Sequence, residues 1–328
     1  MNTDVLIIGA GLAGLFAARQ LTAAGKRVLL LDKGQHIGGR MNTRQLAGGL
    51  ADTGAQFFTV RDPAFKALLD GWLADGTAFE WSRGWSDGSL VSTRDGHPRY
   101  AINGGMIELA KKLAVGLDVR LKVEVTTINR LDGGWDAQDS NGNRVSANAV
   151  LLTAPVPQSL KLLDAGRVVL TSADRAALEE IDYLPSVTAL LHIEGWVNLP
   201  APGAIQRLHA PVTWIADNRQ KRISPVTVLT MQASPGYSHQ LWDKSDDDIL
   251  RSLRVDLMPF LGDNARVGAV EIKRWRYAQP GNVYPGRYLL AADQASPLMF
   301  AGDAFGGPRV EGAVLSGLAA GDALNSLV

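Results

Sequence analysis

The stretch Asp4-Val5-Leu6-Ile7-Ile8-Gly9-Ala10-Gly11-Leu12-Ala13-Gly14-Leu15 limits what this chain can fold into more than any other. An apolar β run breaks into G-x-G-x-x-G and becomes helical through Phe16 to Leu21, which is the phosphate-cradling start of a dinucleotide-binding βαβ unit. Gly9 lets the chain turn sharply out of the strand, Gly11 lets the backbone approach a pyrophosphate, and Gly14 lets the helix pack closely. The first helical N–H groups then face the anion, aided by the helix dipole. Arg27 to Leu31 reads as a second strand ending in Asp32, at the distance expected of an acid that grips a ribose hydroxyl.

A second unit of the same kind closes the chain. Pro297 to Gly317 reads as strand, Gly302-Asp303 turn, glycine loop and helix. Small residues at Gly312, Ala313, Ser316, Gly317, Ala319, Ala320 and Gly321 permit very close helix packing. A strand–glycine–helix unit with an acid at its turn makes sense as the grip on the other end of one long cofactor.

Between these units, Gly38-Gly39-Arg40-Met41 delivers a cation beside the nucleotide site, where a planar fork can pair with a pyrophosphate. In Leu50-Ala51-Asp52-Thr53-Gly54-Ala55-Gln56-Phe57-Phe58-Thr59 small residues allow a flat ring to approach the backbone, and Gln56 offers an amide. Asp62-Pro63 caps a helix running to about Leu73. Trp81 to Trp85, with Asp87-Gly88 and Asp95-Gly96 turns around a short strand at Leu90 to Thr93, reads as a hairpin-rich insertion. It returns through His97-Pro98-Arg99-Tyr100 to Asn103-Gly104-Gly105-Met106, which opens a helix. Val119 to Val145 reads as a β-meander with a two-residue hairpin at Asn141-Gly142, and Ala149 to Pro155 as a strand buried on both faces of a parallel sheet.

From Pro157 the pattern changes to helices near Ser159 to Leu163 and Ala173 to Ile181, then alternating strands at Val187 to Ile193, Val212 to Ile215, Val226 to Gln232 and Val267 to Tyr277. Ser245 caps a helix through Leu257 that buries Ile249, Leu253 and Leu257. A chain of 328 residues suits two packed domains, and this second texture reads as an antiparallel α+β domain on the substrate side.

Composition narrows the chemistry. The 33 basic and 33 acidic side chains cancel, which argues against broad attraction to nucleic acid or an anionic membrane. With no cysteine there is no thiolate nucleophile, no Cys-ligated metal and no cofactor linked through sulfur. The five histidines are scattered without metal-ligand spacing, so no metal is expected. The first strand starts almost at Met1, leaving no room for a cleaved leader, and no apolar run is long enough to span a bilayer, so a cytoplasmic location is expected.

Together, Asp4 to Gly14 with Asp32, the Gly39-Arg40 pair, the Gly104-Gly105-Met106 helix start, Ala154-Pro155, and Gly302-Asp303 running into Glu311 to Gly317 resemble the flavin-containing amine oxidase superfamily. Within it, the compact length and the Asp52 to Thr59 segment look most like the renalase branch, in particular its bacterial forms. The resemblance implies an α/β fold: a Rossmann-like FAD-binding domain made of residues 1–60, 98–156 and 278–328, and a smaller antiparallel-sheet substrate domain of residues 61–97 and 157–277. It implies non-covalent FAD. Gly9, Gly11, Leu12, Ala13 and Gly14 would hold the pyrophosphate, Asp32 the adenosine ribose, and Arg40 the phosphate side, with Lys33 a further cofactor-binding residue. Gln56 and Phe57 would lie against the flavin, Val125 would present backbone groups to adenine, and Asp303 with Gly302 would bind the ribityl chain. Val310 would set the last helix's N-terminus under the flavin pyrimidine, where about half a positive charge stabilises the reduced ring.

The implied reaction is hydride transfer from isomeric 2- or 6-dihydro-NAD(P) to flavin N5, followed by reoxidation with O2 to hydrogen peroxide. No protein acid or base is then needed, because the donor regains aromaticity. Pro98, Arg99, Tyr100, Ser186, Thr188, Trp275 and Arg309 are the candidate substrate contacts. The expected partners are a small dinucleotide and O2, with no nucleic acid, membrane or obligate protein partner. Oxidation of a small amine is the alternative. Larger family members set an aromatic pair before the flavin and a lysine near N5, for which Phe305 and Lys273 are the candidates here, although alternation allows Lys273 a solvent-facing position. A third reading is an FAD-stabilised binding protein without turnover.

Overall fold

The structure is a computed structural model and describes residues 2–89, 91 and 93–328. In chain order, β1 (Asn2–Ile8), α1 (Leu12–Ala23) and β2 (Val28–Asp32) form the opening unit, and β3 (Thr43–Leu46) and β4 (Gly49–Asp52) form a hairpin. α2 (Pro63–Ala74) follows, then β5 (Ala78–Ser82) pairs with β6 (Arg99–Ile102), and α3 (Ile107–Ala114) leads to β7 (Asp118–Leu121). β8 (Val125–Leu131), β9 (Gly134–Asp139) and β10 (Arg144–Leu152) make the meander, followed by α4 (Val156–Ala165) and α5 (Ser172–Glu179). β11 (Tyr183–Glu194), β12 (Ala204–Gln206), β13 (Val212–Asp217), β14 (Val228–Ala233), α6 (Pro235–Leu241), α7 (Asp246–Leu257) and β15 (Arg266–Pro280) come next. The chain ends with β16 (Leu289–Leu290), β17 (Leu298–Phe300) and α8 (Arg309–Asn325).

The first sheet runs β16-β17-β10-β1-β2-β7, with β17, β10, β1, β2 and β7 parallel, and β9 and β8 continuing from β10. Its centre is apolar on both faces, as a covered parallel sheet requires: Val5, Leu6 and Ile7 and the facing Ala149, Val150 and Leu151 have no solvent exposure. One side is covered by α1, α3 and α8 and the other by α4 and the meander. α8 reaches α1 closely only because Gly317 lacks a side chain, since a Cβ there would stand 2.3 Å from the Ala13 carbonyl oxygen.

The second sheet runs β12-β13-β14-β11-β15, antiparallel throughout. Val187, Ala189 and Leu191 on one face pack against Leu241 of α6 and Ile249, Leu253 and Leu257 of α7. That last trio is the stripe predicted from spacing, and the Ser245 hydroxyl accepts from the Asp248 N–H as the N-cap. The Asp62 carboxylate caps α2 in the same way, with Pro63 in the first turn. The opposite face of the sheet, at Leu190 and Val228, rests on Ala51 of the β3–β4 hairpin.

Two expectations change and a third falls outside the described residues. The Asn141-Gly142 signal forms a four-residue connection, because the Asp139 carboxylate accepts from the Asn141 and Asn143 N–H groups and the Asp139 N–H bonds the Asn143 carbonyl. β15 extends across the 277/278 boundary, since Gln279 and Pro280 still pair with Leu184 and Tyr183. The short strand placed at Leu90 to Thr93 falls on Leu90 and Ser92, outside the described residues. Among the described residues no helix is long and apolar enough to cross a membrane.

Candidate cofactor and substrate site

The three glycines of the first loop differ in what surrounds them. Gly9 has φ +116°, a turn that side chains rarely adopt, and a Cβ there would meet Thr153 Oγ1 at 2.6 Å. A Cβ on Gly14 would meet the Gly9 carbonyl oxygen at 2.1 Å, so the first helical turn folds back onto its own loop. A Cβ on Gly11 would meet nothing within 4 Å. The protein itself therefore requires Gly9 and Gly14, whereas the space over Gly11 is open at the N-terminus of α1. That opening is the cradle an anion needs. Leu12 and Ala13 are buried in the first turn behind it.

Asp32 ends β2 beside this loop, its two carboxylate oxygens accepting from Ala10 N–H at 2.8 Å and Gly34 N–H at 2.6 Å. The acid is thus fixed in orientation by backbone while keeping further lone pairs for a diol. The start of β8 is tied to the same spot, with Val123 N–H on the Asp32 carbonyl at 3.0 Å, which sets Val125 nearby. Lys33 is exposed, with its Nζ 3.8 Å from the carboxylate of Glu124, the residue between Val123 and Val125.

Gly38 N–H bonds the Ala10 carbonyl at 2.8 Å and presents Arg40. The Arg40 guanidinium forms a two-pronged pair with Asp303, at 2.6 and 2.7 Å, so the two chain-distant motifs meet directly. Burial works against the Arg40 charge, and the Asp303 carboxylate more than offsets it, holding the guanidinium above its usual range. Gly302, at φ +144°, is held to α8 by its N–H on the Ser316 hydroxyl at 2.8 Å. Val310 is buried in the first turn of α8.

From Arg40 the site continues to the segment after β4, where Ala55 N–H bonds the Arg40 carbonyl at 2.9 Å. The polar face of the second sheet lies over this segment. Trp275 Nε1 donates to the Thr53 carbonyl at 3.0 Å, Gln232 Nε2 to the Gly54 carbonyl at 2.8 Å and Thr230 Oγ1 to the Asp52 carbonyl at 2.9 Å. Thr188 is paired across the sheet with Gln232 on one side and Lys273 on the other, so all three share this face. Lys273 therefore stands on the site side, its Nζ 5.1 Å from the Trp275 ring centroid, and not on the solvent face that alternation allowed. Ser186, opposite Trp275, is half-buried on the same face.

The remaining candidates are dispersed. Arg99 is held by a two-pronged pair with Asp95, at 2.7 and 2.5 Å, with its guanidinium 5.4 Å from the Trp85 ring. Trp85 in turn packs on Phe57 at 5.3 Å between ring centroids. The Tyr100 ring packs on Phe58 at 5.9 Å, and burial raises its hydroxyl above the ordinary range. Pro98 is half-buried beside them. Arg309 is exposed at the first position of α8 with φ +77°, a strained setting for a residue with a side chain. Phe305 is buried in the core with its ring 5.8 Å from that of Tyr284. Among the described residues no cluster of three or more His, Asp or Glu is placed to hold a metal ion.

These surroundings fit FAD. Besides the open cradle at Gly11, two of the seven buried side-chain polar atoms that lack a partner among the described residues lie on this segment and the sheet face over it: Gln56 Oε1, whose amide nitrogen is committed to the Asp52 and Gly54 carbonyls, and Thr188 Oγ1. Buried polar atoms are rarely left unpaired, so a ligand with hydrogen-bonding edges belongs beside them. Asp52, Lys221 and Gln232 were not singled out by sequence, and only the parity of Gln232 within its strand could have pointed to it.

Comparison with known proteins agrees with this arrangement. Residues 87–325 match the family model described as flavin containing amine oxidoreductase, and residues 7–72 match an NAD(P)-binding Rossmann-like domain. The chain is similar to renalase of Mus musculus, 25% identical over 334 residues covering 96% of each chain. It is also similar to putrescine oxidase of Kocuria rosea, 29% identical over 118 residues, which cover 36% of this chain and 24% of that one. The solved structure of wild-type putrescine oxidase bound to putrescine has the same fold, with a TM-score of 0.70, 16% identity and 99% of both chains covered. The chain uses FAD as a flavin-dependent oxidoreductase and belongs to the flavin containing amine oxidoreductase family.

Proposed function

We propose that the protein oxidises isomeric dihydro-NAD(P), the 2- or 6-dihydro forms, taking one hydride and releasing aromatic NAD(P)+. The observation that carries this reading is the similarity to renalase over 96% of both chains. FAD bound there would supply the hydride acceptor, with O2 taking two electrons and two protons to give hydrogen peroxide. The chain's own residues bind and orient. The Gly9 to Gly14 turn and the N-terminus of α1 receive the pyrophosphate, Asp32 the ribose diol, and Arg40 with Asp303 the centre of the cofactor. Gln56 and Phe57 line the ring, and the start of α8 at Val310 adds positive potential beneath it. The site divides between a cofactor domain of residues 1–60, 98–156 and 278–328 and a substrate domain of residues 61–97 and 157–277, with β15 crossing that line to Pro280 and α2 packed in the core of the cofactor side.

The face formed by Ser186, Thr188, Gln232 and Trp275 is neutral; with the Gln232 and Trp275 donors spent on the Gly54 and Thr53 carbonyls, its hydroxyls and indole ring are what it offers a flat carboxamide-bearing ring. Lys273 beside it repels a protonated amine and attracts a phosphate. The same lysine also supports the second reading, oxidation of a small amine, because larger family members set a lysine near flavin N5. Anaerobic mixing of the yellow protein with 6-dihydro-NAD, 2-dihydro-NAD, ordinary NADH and several amines separates them. Fast bleaching of the flavin band by the dihydro isomers alone supports the first reading, and bleaching by amines alone rejects it. Without a cysteine in the chain, acid precipitation should release FAD into the supernatant.

A further inference from the structure

One fully buried cation has no part in the binding roles above. Lys221 sits in the turn between β13 and β14 with no solvent exposure. Its Nζ donates to Asp52 Oδ2 at 2.5 Å and to the Gln56 carbonyl at 2.6 Å, and lies 4.8 Å from the Trp81 ring centroid. Asp52 is equally buried, and its other oxygen accepts from Met106 N–H at 2.9 Å and Thr43 Oγ1 at 2.5 Å. A single ammonium thus joins the start of α3, the β3–β4 hairpin and the Gln56–Phe57 peptide. Burial pulls its pKa down against the pull of the Asp52 carboxylate.

Stability alone does not account for such a pair. Replacing a buried ion pair with apolar groups is often neutral or favourable, because desolvation consumes the Coulombic gain. What no apolar residue does is hold the Gln56 carbonyl, and this bond fixes the peptide plane from which Phe57 projects. The Gln56 amide is then clamped from its other side by the Asp52 and Gly54 carbonyls, leaving Oε1 as its one free atom.

Resting on the placement of Gln56 and Phe57 at the flavin, we propose that Lys221 is a positioning residue. Its Nζ sets the Gln56–Phe57 peptide and thereby aims the Gln56 amide and the Phe57 ring at the flavin. Two variants of the FAD-loaded full chain test this. K221M leaves Asp52 buried and unpaired, whereas D52N/K221M removes both charges and keeps a side-chain oxygen at position 52 for Met106 N–H and Thr43.

In the double variant the melting temperature should recover toward wild type while the visible circular dichroism of bound FAD and its midpoint potential stay altered. Flavin reduction should slow by about tenfold or more, the scale of a misplaced reacting group, with the half-saturating substrate concentration moving far less. A double variant that regains the wild-type dichroism and potential overturns the assignment, as does failure of both variants to fold, since Lys221 is then a structural pin only. The dichroism and potential need bound FAD but no substrate. Failure of the dihydro-NAD(P) reading therefore shows separately, as a wild-type protein whose flavin no isomer bleaches.

Discussion

Gly11→Ala and Gly14→Ala add the same methyl group three residues apart and should fail in different ways. At Gly14 the new Cβ would stand 2.1 Å from the Gly9 carbonyl oxygen, a contact that backbone on both sides must relieve by moving. Overpacking of this kind costs about 1–3 kcal/mol, so the apoprotein should melt earlier. At Gly11 the backbone is extended, with φ −79° and ψ 179°, and no atom lies within 4 Å of the added carbon. That apoprotein should equal wild type or gain about 0.4–1 kcal/mol from a less flexible unfolded chain.

If the open space is the pyrophosphate cradle, the methyl instead displaces the anion from the α1 N-terminus. Losing one charge-assisted hydrogen bond costs about 1.5–3 kcal/mol. At about 1.4 kcal/mol per decade this weakens FAD binding by roughly tenfold to a hundredfold or slightly more. Melting curves of the apoproteins and quenching of FAD fluorescence on titration give the two quantities independently. The reasoning is refuted if Gly11→Ala binds FAD with the wild-type Kd, or if its apoprotein is destabilised as much as that of Gly14→Ala.

Arg40→Met leaves the mostly buried Asp303 carboxylate without its two-pronged partner, and chemical denaturation of the apoprotein should show a loss of about 3–5 kcal/mol, much of it restored by adding Asp303→Asn. Thr188→Val removes a buried hydroxyl that has no protein partner. Its apoprotein should be as stable as wild type or more so by about 1 kcal/mol, while 6-dihydro-NAD, the substrate class proposed above, should bind more weakly in single-turnover titrations. The Asp75 carboxyl, hydrogen-bonded to Lys112 and Thr77, is held down to about 2, below its unfolded value of 3.8. Its contribution to stability is therefore present above about pH 4 and lost as the pH falls toward 2. An NMR titration should place its midpoint near 2 and move it upward in Lys112→Met.

The cofactor end of the molecule was legible because each of its parts is local. Strand, glycine turn, helix and acid lie within Asp4 to Asp32, and their geometry follows from residue type at fixed spacing. The substrate side was legible only as a pattern of strands. Val270 and Ile272 mark one face of β15 as buried, and alternation then offers water for Lys273. The sheet is in fact covered twice, by helices on one side and by the Thr53 to Phe57 segment on the other, so a polar side chain opposite an apolar face lines a site. The Lys221–Asp52 pair was invisible for another reason. Its members are 169 positions apart, and nothing local distinguishes a lysine destined for burial from one destined for the surface.

The close fit of α8 on α1 also dictates the order in which the molecule becomes competent. During synthesis the apolar side of α1, with Leu15, Phe16 and Leu21, leaves the ribosome some three hundred residues before the helix that shields it. Asp303 and the α8 N-terminus are equally late. The opening βαβ unit must wait, half-covered, until Arg309–Asn325 docks, and until then Arg40 has no Asp303 carboxylate to pair with.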